Sequence, residues 1–447
     1  MTDKLQKEGL PRHSVAGKVY ALRKYHNISQ EVLADSINMS LKRIRNVEKG
    51  LEEYGEKDLD AIKKYFNIVG LPLTEDECFA FRARLYYLLD LIRAKRMDEA
   101  KAIQKEMVNI DNLKPCDLEM VMLCKMMEVQ LFIAEGNYIA TVDKLNISQD
   151  GIKKMSNENL FHYFYNKGAF YTYQDRYEEG LDFLLRSLKL MKDNEKLIPN
   201  EDGWLYYNIA LCYSYLEIPY YAISFWQKAI QAHPDNKVVT FTLNADRGIA
   251  LNYIKVNQLE DAEKLLRKCQ VKSDGIKDDV HIGFNLFCYG YMYKKAENWV
   301  SAIEYFDKAV DYLPKGSDQY YSSLYHKIHC VIHNRAFPEA KELLNQAKNE
   351  YGSNESWKLC FIALEHYLAI SKHMTSLNNG KSIYYIRYIA IPHFIKTHDY
   401  FTAIDYYTLL EKHYEKRESM MNSLYMTKAI RDIYKRCYES DGRSNKS

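Results

Sequence analysis

A small residue that returns about every 40 residues is the feature that most constrains how this 447-residue chain can fold. The series is Ala100, Ala140, Gly180, Ala222, Ala262, Ala302, Ala340 and Ala403, with successive steps of 40, 40, 42, 40, 40, 38 and 63 residues. Such a period is typical of stacked helix pairs, in which each pair buries its apolar face only against its neighbours. The long last step predicts one further, degenerate helix pair around residues 356–388.

The residues around these positions follow a common frame. In its best copy the frame reads Ala210, Tyr213, Ala222, Trp226, Ala229 and Pro234. This pattern resembles the tetratricopeptide repeat. The chain also has few helix breakers, with 18 Gly and 9 Pro. The sequence therefore predicts an all-α fold in which residues 81–440 form a right-handed tetratricopeptide-repeat α-solenoid of about eight to nine helical hairpins.

The first 50 residues carry a different pattern. Ser29 and Ser40 each stand where a hydroxyl can cap the start of a short helix, and Asn38 between them can take the left-handed conformation of a tight turn. Leu33 and Ile44 fall on the inner faces of those two helices. The spacing predicts a helix-turn-helix that leaves several basic and polar side chains facing outward.

This pattern resembles the Cro/C1-repressor (XRE) class of helix-turn-helix domains over about residues 13–70. The matching positions are Arg23, Ser29, Gln30, Leu33, Ala34, Ser40, Ile44, Glu48 and Gly50. The resemblance implies a five-helix DNA-binding domain. The candidate DNA-binding residues are Arg23, Ser29, Gln30, Ser40, Leu41, Lys42, Arg43, Arg45 and Asn46.

The charge distribution agrees with this interpretation. The whole chain is nearly balanced, with 62 Lys and Arg against 60 Asp and Glu. Residues 1–49 hold ten Lys and Arg against five Asp and Glu, so the remainder holds 52 against 55. A basic segment on a near-neutral body is what phosphate binding requires, although a solvated helix face would look the same.

The junction between the two regions is predicted near residues 67–74. Pro72 ends what precedes it, and Thr74 with Glu77 has the spacing of a capping box that begins a helix at Glu75–Arg93. We therefore expect a DNA-binding domain at 1–70, a linker and the start of a linker helix at 71–80, and the repeat domain at 81–440.

Composition excludes several classes of protein. No apolar stretch is long enough to span a bilayer and Met1–Arg12 lacks the apolar core of a signal peptide, so a cytoplasmic location and no membrane partner are expected. The nine Cys are scattered, without a Cys-x-x-Cys pair or zinc-ligand spacing. No metal and no cofactor are expected.

Ligand binding is expected on the concave face of the array, where first-helix side chains point inward. Asn amides can bond an extended peptide backbone, Arg can meet a carboxylate, and aromatic rings can form apolar pockets. The candidate peptide-binding residues are Tyr165, Asn166, Tyr207, Asn208, Asn244, Arg247, Phe287 and Tyr325. The same frame also turns Tyr291 and His329 inward.

An XRE helix-turn-helix followed by such an array resembles the Rap, Rgg, NprR, PlcR and PrgX (RRNPP) family of peptide-responsive regulators, and NprR-type members most of all. The resemblance implies a cytoplasmic, quorum-sensing transcriptional regulator. Its partners would be an operator in double-stranded DNA, a short linear signalling peptide, and a second copy of the chain in a homodimer. Asn166 and Asn208 repeat at one position of the frame, as expected of residues that hold a peptide backbone.

Two alternatives remain. One is a Rap-like regulator that sequesters a response-regulator partner or acts on it as a phosphatase. The other is a tetratricopeptide scaffold without a small ligand. An enzyme is not expected, because the chain has no phosphate-binding Gly loop and no nucleophile motif. His326, His329 and His333 lie at helical spacing, but no acidic partner is near them in sequence.

Overall fold

The structure is a computed structural model that describes residues 14–68, 75–108, 118–153, 155–194, 201–232, 239–350 and 354–438. Every regular element in these residues is helical. The helices are α1 Val15–Tyr25, α2 Gln30–Ser36, α3 Leu41–Glu48, α4 Glu56–Phe66, α5 Glu75–Arg93, α6 Met97–Val108, α7 Leu118–Ala134, α8 Tyr138–Leu145, α9 Gln149–Lys153, α10 Asn157–Tyr173, α11 Tyr177–Asp193, α12 Asp202–Tyr215 and α13 Pro219–Ala232. They continue as α14 Val239–Lys255, α15 Leu259–Ile276, α16 Asp279–Lys295, α17 Trp299–Tyr312, α18 Asp318–His333, α19 Phe337–Glu350, α20 Glu355–Lys372, α21 Gly380–Tyr385, α22 Ile391–Lys396, α23 Tyr400–Lys416 and α24 Met420–Tyr438.

The predicted helix-turn-helix is formed by α2 and α3. The Ser29 hydroxyl accepts a hydrogen bond from the Val32 backbone N–H, and the Ser40 hydroxyl accepts one from Arg43, so both predicted caps are confirmed. Asn38 has φ 54°, the predicted left-handed turn. Residues 14–68 contain four helices, and the rest of the expected five-helix domain lies outside the described residues.

A left-handed residue marks the turn of every hairpin in the described array except the one that α20 forms with the helix from Gly380 to Lys396. It lies five positions before a small, buried residue, where the second helix packs against the first. The turn residues are Lys95, Gly136, Asp175, Glu217, Asn257, Glu297, Arg335 and Glu418, and His398 precedes Ala403 in the same way. This register corrects one assignment, because five positions after Gly136 stands Thr141, which is fully buried, and not Ala140.

The long step of 63 residues contains the further helix pair that the sequence predicted. Two helical segments lie between α19 and α23, namely α20 and a continuous helix from Gly380 to Lys396, and they pack against each other. Helix α23 then pairs with α24. The continuous helix from Gly380 to Lys396 includes a π-helical turn at Ile386–Ala390, which joins α21 to α22.

Two compact units divide the described chain. The first comprises residues up to 173 together with 182–194, and the second comprises 174–181 and the residues from 201 onward. This division does not follow the expected boundary near residue 70, and the predicted cap at Thr74 lies outside the described residues. The helix predicted at Glu75–Arg93 has those bounds. In the second unit one apolar core, which includes Ile328, Phe361 and Tyr406, runs from α17 to α24.

Candidate functional site

A buried ion pair holds the N-terminal helices together. Arg23 donates from Nε and Nη2 to the two carboxylate oxygens of Glu48 at 2.7 and 2.6 Å, and from Nη1 to the Ile28 carbonyl at 2.8 Å. Gln30 donates to the same Glu48 carboxylate at 2.6 Å. Arg23 is only 3% exposed, so its assignment as a DNA-binding residue is corrected to a structural one. The Gln30 amide is likewise engaged within the domain.

Helix α3 presents the outward side chains of the helix-turn-helix. Its Ile44 and Val47 are fully buried in the small apolar core that α1 to α4 share, so the opposite face must point away from that core. Lys42 is exposed and has no acidic partner among the described residues. Arg45 is half exposed and lies 3.5 Å from Glu31.

Two predicted DNA-binding residues of α3 turn toward the following segment. Arg43 pairs with Asp58 at 2.8 Å, and Asn46 donates to Glu52 at 2.6 Å. Ser29 and Ser40 are exposed beside the helix starts that they cap, and Leu41 is half-buried. The outward set that remains for a nucleic acid is therefore Ser29, Ser40, Leu41, Lys42 and Arg45.

Of the predicted peptide-binding residues, Tyr165 and Asn166 belong to the first unit and are buried. The Asn166 amide donates to the Met126 carbonyl at 2.7 Å and accepts a hydrogen bond from Gln130. Tyr165 is 4% exposed. Asn166 thus fixes α10 against α7, and its assignment as a contact for a peptide backbone is corrected, because the whole amide is enclosed.

In the second unit the predicted polar residues are hydrogen-bonded within the protein. Arg247 is 1% exposed and donates to the Asn244 side chain at 2.6 Å and to the His281 carbonyl at 3.2 Å. Its guanidinium also lies over the Phe284 ring, and burial lowers the pKa of Arg247. Asn208 is half-buried and donates to the Trp204 carbonyl at 2.9 Å. Arg247 is therefore enclosed, whereas Asn208 and Asn244 remain partly accessible.

The predicted aromatic residues also differ in how accessible they are to a ligand. Tyr207 and Phe287 are half-buried within aromatic clusters, with Tyr207 edge-on to Trp226 at 4.7 Å between ring centroids. Tyr325 is 4% exposed, and its hydroxyl donates to the Tyr406 hydroxyl at 3.1 Å. Tyr406 on α23 therefore covers Tyr325 on the inner face, where Tyr325 was predicted to contact a peptide.

The C-terminal hairpin, α23 with α24, returns to the first helices of the second unit. Lys294 on α16 pairs with Asp405 at 3.0 Å. The Tyr438 hydroxyl donates to the Lys255 carbonyl at 3.2 Å. No local sequence pattern indicates these contacts, because they join residues 111 and 183 positions apart.

A cavity of about 760 Å³ lies between the C-terminal hairpin and helices α14, α16, α18 and α20. Its inner end contains the Lys294–Asp405 pair and His329, and its apolar walls include Tyr291 and Trp299. The predicted inward residues Tyr291 and His329 line it, but none of the eight candidate peptide-binding residues does. Sequence reasoning missed the basic residues of the cavity, whose only local signal was Lys294–Lys295 at the end of a first helix.

The histidines of α18 are kept neutral by this environment. Burial, reinforced by the charge of Lys294, lowers the pKa of both His326 and His329 well below the usual range. An acidic partner absent from the local sequence is supplied in space, because Asp405 lies 3.8 Å from His329 Nε2. Burial alone would disfavour the Lys294 ammonium, but the attraction of Asp405 outweighs it and raises the pKa of Lys294.

The part of the chain that the structure describes contains no helix long and apolar enough to cross a membrane. It also contains no group of three or more His, Cys, Asp or Glu side chains arranged to hold a metal ion.

Comparison with known proteins identifies the fold. No family model matches the chain, and no curated protein matches it. Among solved structures it is similar to the apo form of the quorum sensor NprR from B. thuringiensis, with 20% identity, a TM-score of 0.64, and coverage of 79% of this chain and 98% of that one.

Two further structures give the same result. NprR in complex with its cognate peptide NprX is 21% identical, with a TM-score of 0.63 and coverage of 79% and 98%. A Rap protein complexed with competence and sporulation factor is 15% identical, with a TM-score of 0.64 and coverage of 80% and 98%. The chain has the helical-repeat fold of the NprR and Rap structures, and the predicted all-α class is confirmed.

Proposed function

We propose that this chain is a cytoplasmic, DNA-binding transcriptional regulator whose repeat domain binds a short signalling peptide. The observation that carries the proposal is helix α3, which is capped by Ser40, anchored by buried Ile44, and outwardly basic at Lys42 and Arg45. A short capped helix with one apolar and one basic face has the form needed to enter a major groove.

The fold of the array supports the second half of the proposal. Structures of the same fold include NprR in complex with its cognate peptide and a Rap protein in complex with competence and sporulation factor. Asn208, Asn244, Tyr207 and Phe287 keep part of their surface accessible in the second unit. They are the predicted peptide-binding residues that a ligand can reach without rearrangement.

One helix-turn-helix reads too few bases for tight binding, so we propose a homodimer that reads two half-sites about 10 bp, or a multiple of 10 bp, apart. A peptide would change operator affinity only by binding one arrangement of the dimer more tightly than another. Its effect would then be typically about 1 to 3 kcal/mol, or roughly 5- to 150-fold.

A Rap-like regulator of a response-regulator protein is the second candidate. The similarity to a Rap structure at a TM-score of 0.64 favours it as much as the similarity to NprR favours the first. The helix-turn-helix geometry of α2 and α3 favours the DNA-binding function. A Rap-like chain would bind its protein partner whether or not Lys42 and Arg45 were present.

The test is operator binding by the full chain, titrated with short peptides encoded beside its gene. Lys42→Ala and Arg45→Ala should each abolish or strongly weaken operator binding and leave peptide affinity unchanged, whereas Lys341→Ala on the array is the matched control. Asn208→Ala should weaken peptide binding and spare DNA binding in the absence of peptide. Operator affinity that survives both α3 substitutions would contradict the proposal.

A further inference from the structure

The cavity beside the C-terminal hairpin carries more positive charge than its own acids compensate. Two of its basic residues have an acidic partner, because Lys294 lies 3.0 Å from Asp405 and Lys255 lies 2.9 Å from Glu217. Both of those lysine side chains are almost completely buried, at 12% and 13% exposed. They form the closed, ion-paired end of the cavity.

Five other basic residues line the same cavity without an acidic partner among the described residues. They are Lys295, Arg335, Lys372, Lys412 and Lys416. All except the half-buried Lys295 are exposed, so they surround the opening. Glu297 is the one remaining acid in the lining. Cations gathered around a concave surface with low-dielectric walls repel one another and concentrate anions.

A buried polar group points to the same kind of ligand. His329 is 2% exposed and lines the cavity, and neither of its ring nitrogens has a hydrogen-bond partner in the described structure. A buried polar group without a partner is unfavourable, because it has lost its hydrogen bonds to water and has gained none in the protein. Because the ring is neutral, one of its nitrogens carries an N–H group. An oxygen of a ligand can accept a hydrogen bond from this group and so supply the missing partner.

From this geometry we propose that the cavity binds the carboxylates of a short acidic peptide. This site is separate from Tyr207, Asn208, Asn244 and Phe287, none of which lines the cavity, and the inference depends on the proposed function only for the source of the carboxylate. A carboxylate would bind among the basic residues at the opening, and another oxygen of the peptide would reach the inner end and accept a hydrogen bond from His329. A volume of about 760 Å³ lies within the roughly 300 to 1,000 Å³ usual for ligand pockets.

The walls favour a peptide over a bare inorganic anion. Tyr291, Trp299, Ile332, Phe401 and Leu409 contribute aromatic and aliphatic surface between the charged groups. Such surface makes no favourable contact with phosphate or citrate, but it can enclose apolar side chains next to an Asp, a Glu or a C-terminal carboxylate.

The experiment uses the full chain and two pools of synthetic hexapeptides. In the first pool two of six positions are Asp or Glu, the others are apolar, and the C-terminus is free. The second pool has Asn or Gln at the same positions and an amidated C-terminus. Peptides retained by the protein after ultrafiltration are counted by mass spectrometry, and citrate is tested as a competitor.

We expect the acidic pool to be retained at least about tenfold more than the amide pool, because only the former carries the charge that the cavity attracts. Lys412→Glu and Arg335→Glu, both at exposed positions that should not impair folding, should each remove most of this difference. Lys428→Glu is the matched control, since it lies on α24 of the same hairpin but outside the cavity lining.

Equal retention of the two pools would overturn the inference, as would a loss of the same size in the Lys428→Glu control. Competition by citrate without retention of acidic peptides would also overturn it, since the ligand would then be a free anion. These assays contain no DNA. Operator binding that responds to a peptide equally in wild type, Lys412→Glu and Arg335→Glu would support the proposed function and contradict the binding of acidic peptides in this cavity.

Discussion

At the scale of single residues, the positions that identify the helix-turn-helix in the sequence do more than face DNA. Arg23, Gln30 and Glu48 were selected by their match to a DNA-binding pattern, yet they bond to one another inside the domain. A motif position can be specified by the fold alone. Sequence comparison cannot separate the two roles, because both require the same residue at the same spacing.

The buried ion pair gives the first prediction. Arg23→Met should destabilise the N-terminal helices by about 3 to 5 kcal/mol, because Glu48 would remain charged and enclosed without its partner. Arg45→Ala, which removes a half-exposed arginine, should change stability by no more than about 0.5 kcal/mol. Urea denaturation of the full chain, followed by circular dichroism, compares the two variants. The quantity compared is the urea concentration at the midpoint of the first unfolding transition. Equal stability of both variants would contradict the prediction.

A second residue-scale prediction concerns pH. Burial raises the pKa of Glu217 to about 7, although Lys255 opposes the shift. Between the ordinary pKa of 4.5 and this value the folded state holds the proton more firmly, so stability falls as pH rises through that range. Glu217→Gln abolishes this titration. The free energy of unfolding of wild type relative to the variant should therefore decrease from pH 5 to pH 8, by on the order of 3 kcal/mol at most. A difference that stays constant with pH would count against it.

At the scale of elements, nearly every hairpin of the described array has a left-handed turn residue followed five positions later by a small residue. Close approach of two helices explains the small residues of both helices. At Gly290 on α16 an added Cβ would lie 2.7 Å from the ring of Phe306 on α17. The Phe306 ring is fully buried, so it would have to shift against its neighbours to make room.

Gly290→Ala should accordingly destabilise the second unit by about 1 to 3 kcal/mol, the usual cost of overfilling a packed interior. Gly275→Ala is a matched control in the last turns of α15, where an added Cβ would meet nothing within 4 Å. That change should be neutral or stabilise by up to about 1 kcal/mol, because Ala favours helix more than Gly does. Thermal denaturation of the two variants under identical conditions tests this. A lower melting temperature for Gly290→Ala than for Gly275→Ala would show that packing outweighs helix propensity at residue 290.

The elements could be predicted from the sequence to the extent that their signals are local. The caps at Ser29 and Ser40, the turn at Asn38 and the helix at Glu75–Arg93 depend on neighbouring residues, and all are confirmed. The second repeat was placed one residue early, because Ala140 looks like the small residue when Thr141 actually fills the contact. Residue type alone favours Ala140, whereas the distance from the turn correctly indicates residue 141.

At the scale of the whole molecule, the candidate ligand site could be predicted only in part. The helical frame correctly turned Tyr291 and His329 inward, since their direction follows from periodicity. It could not predict that Tyr406 would cover Tyr325 or that Asp405 would pair with Lys294, because those contacts join distant parts of the chain. Enclosure of Arg247 by its neighbours was hidden for the same reason. The homodimer remains a prediction, and sedimentation of the full chain with and without operator DNA will test it.

The return of the C-terminal hairpin has a consequence for folding. A repeat array whose neighbours alone touch can unfold from its ends, one hairpin at a time. Here Tyr438 bonds to Lys255, and Arg436 lies 3.6 Å from Glu178, so the last helix of the second unit is attached to its early helices. We expect this unit to melt as one block, with similar amide-exchange protection in α13 and α18. Replacing both Arg436 and Tyr438 by Ala should let the terminal helices fray separately and should speed folding, since formation of the native state would no longer wait for a closure spanning 183 residues.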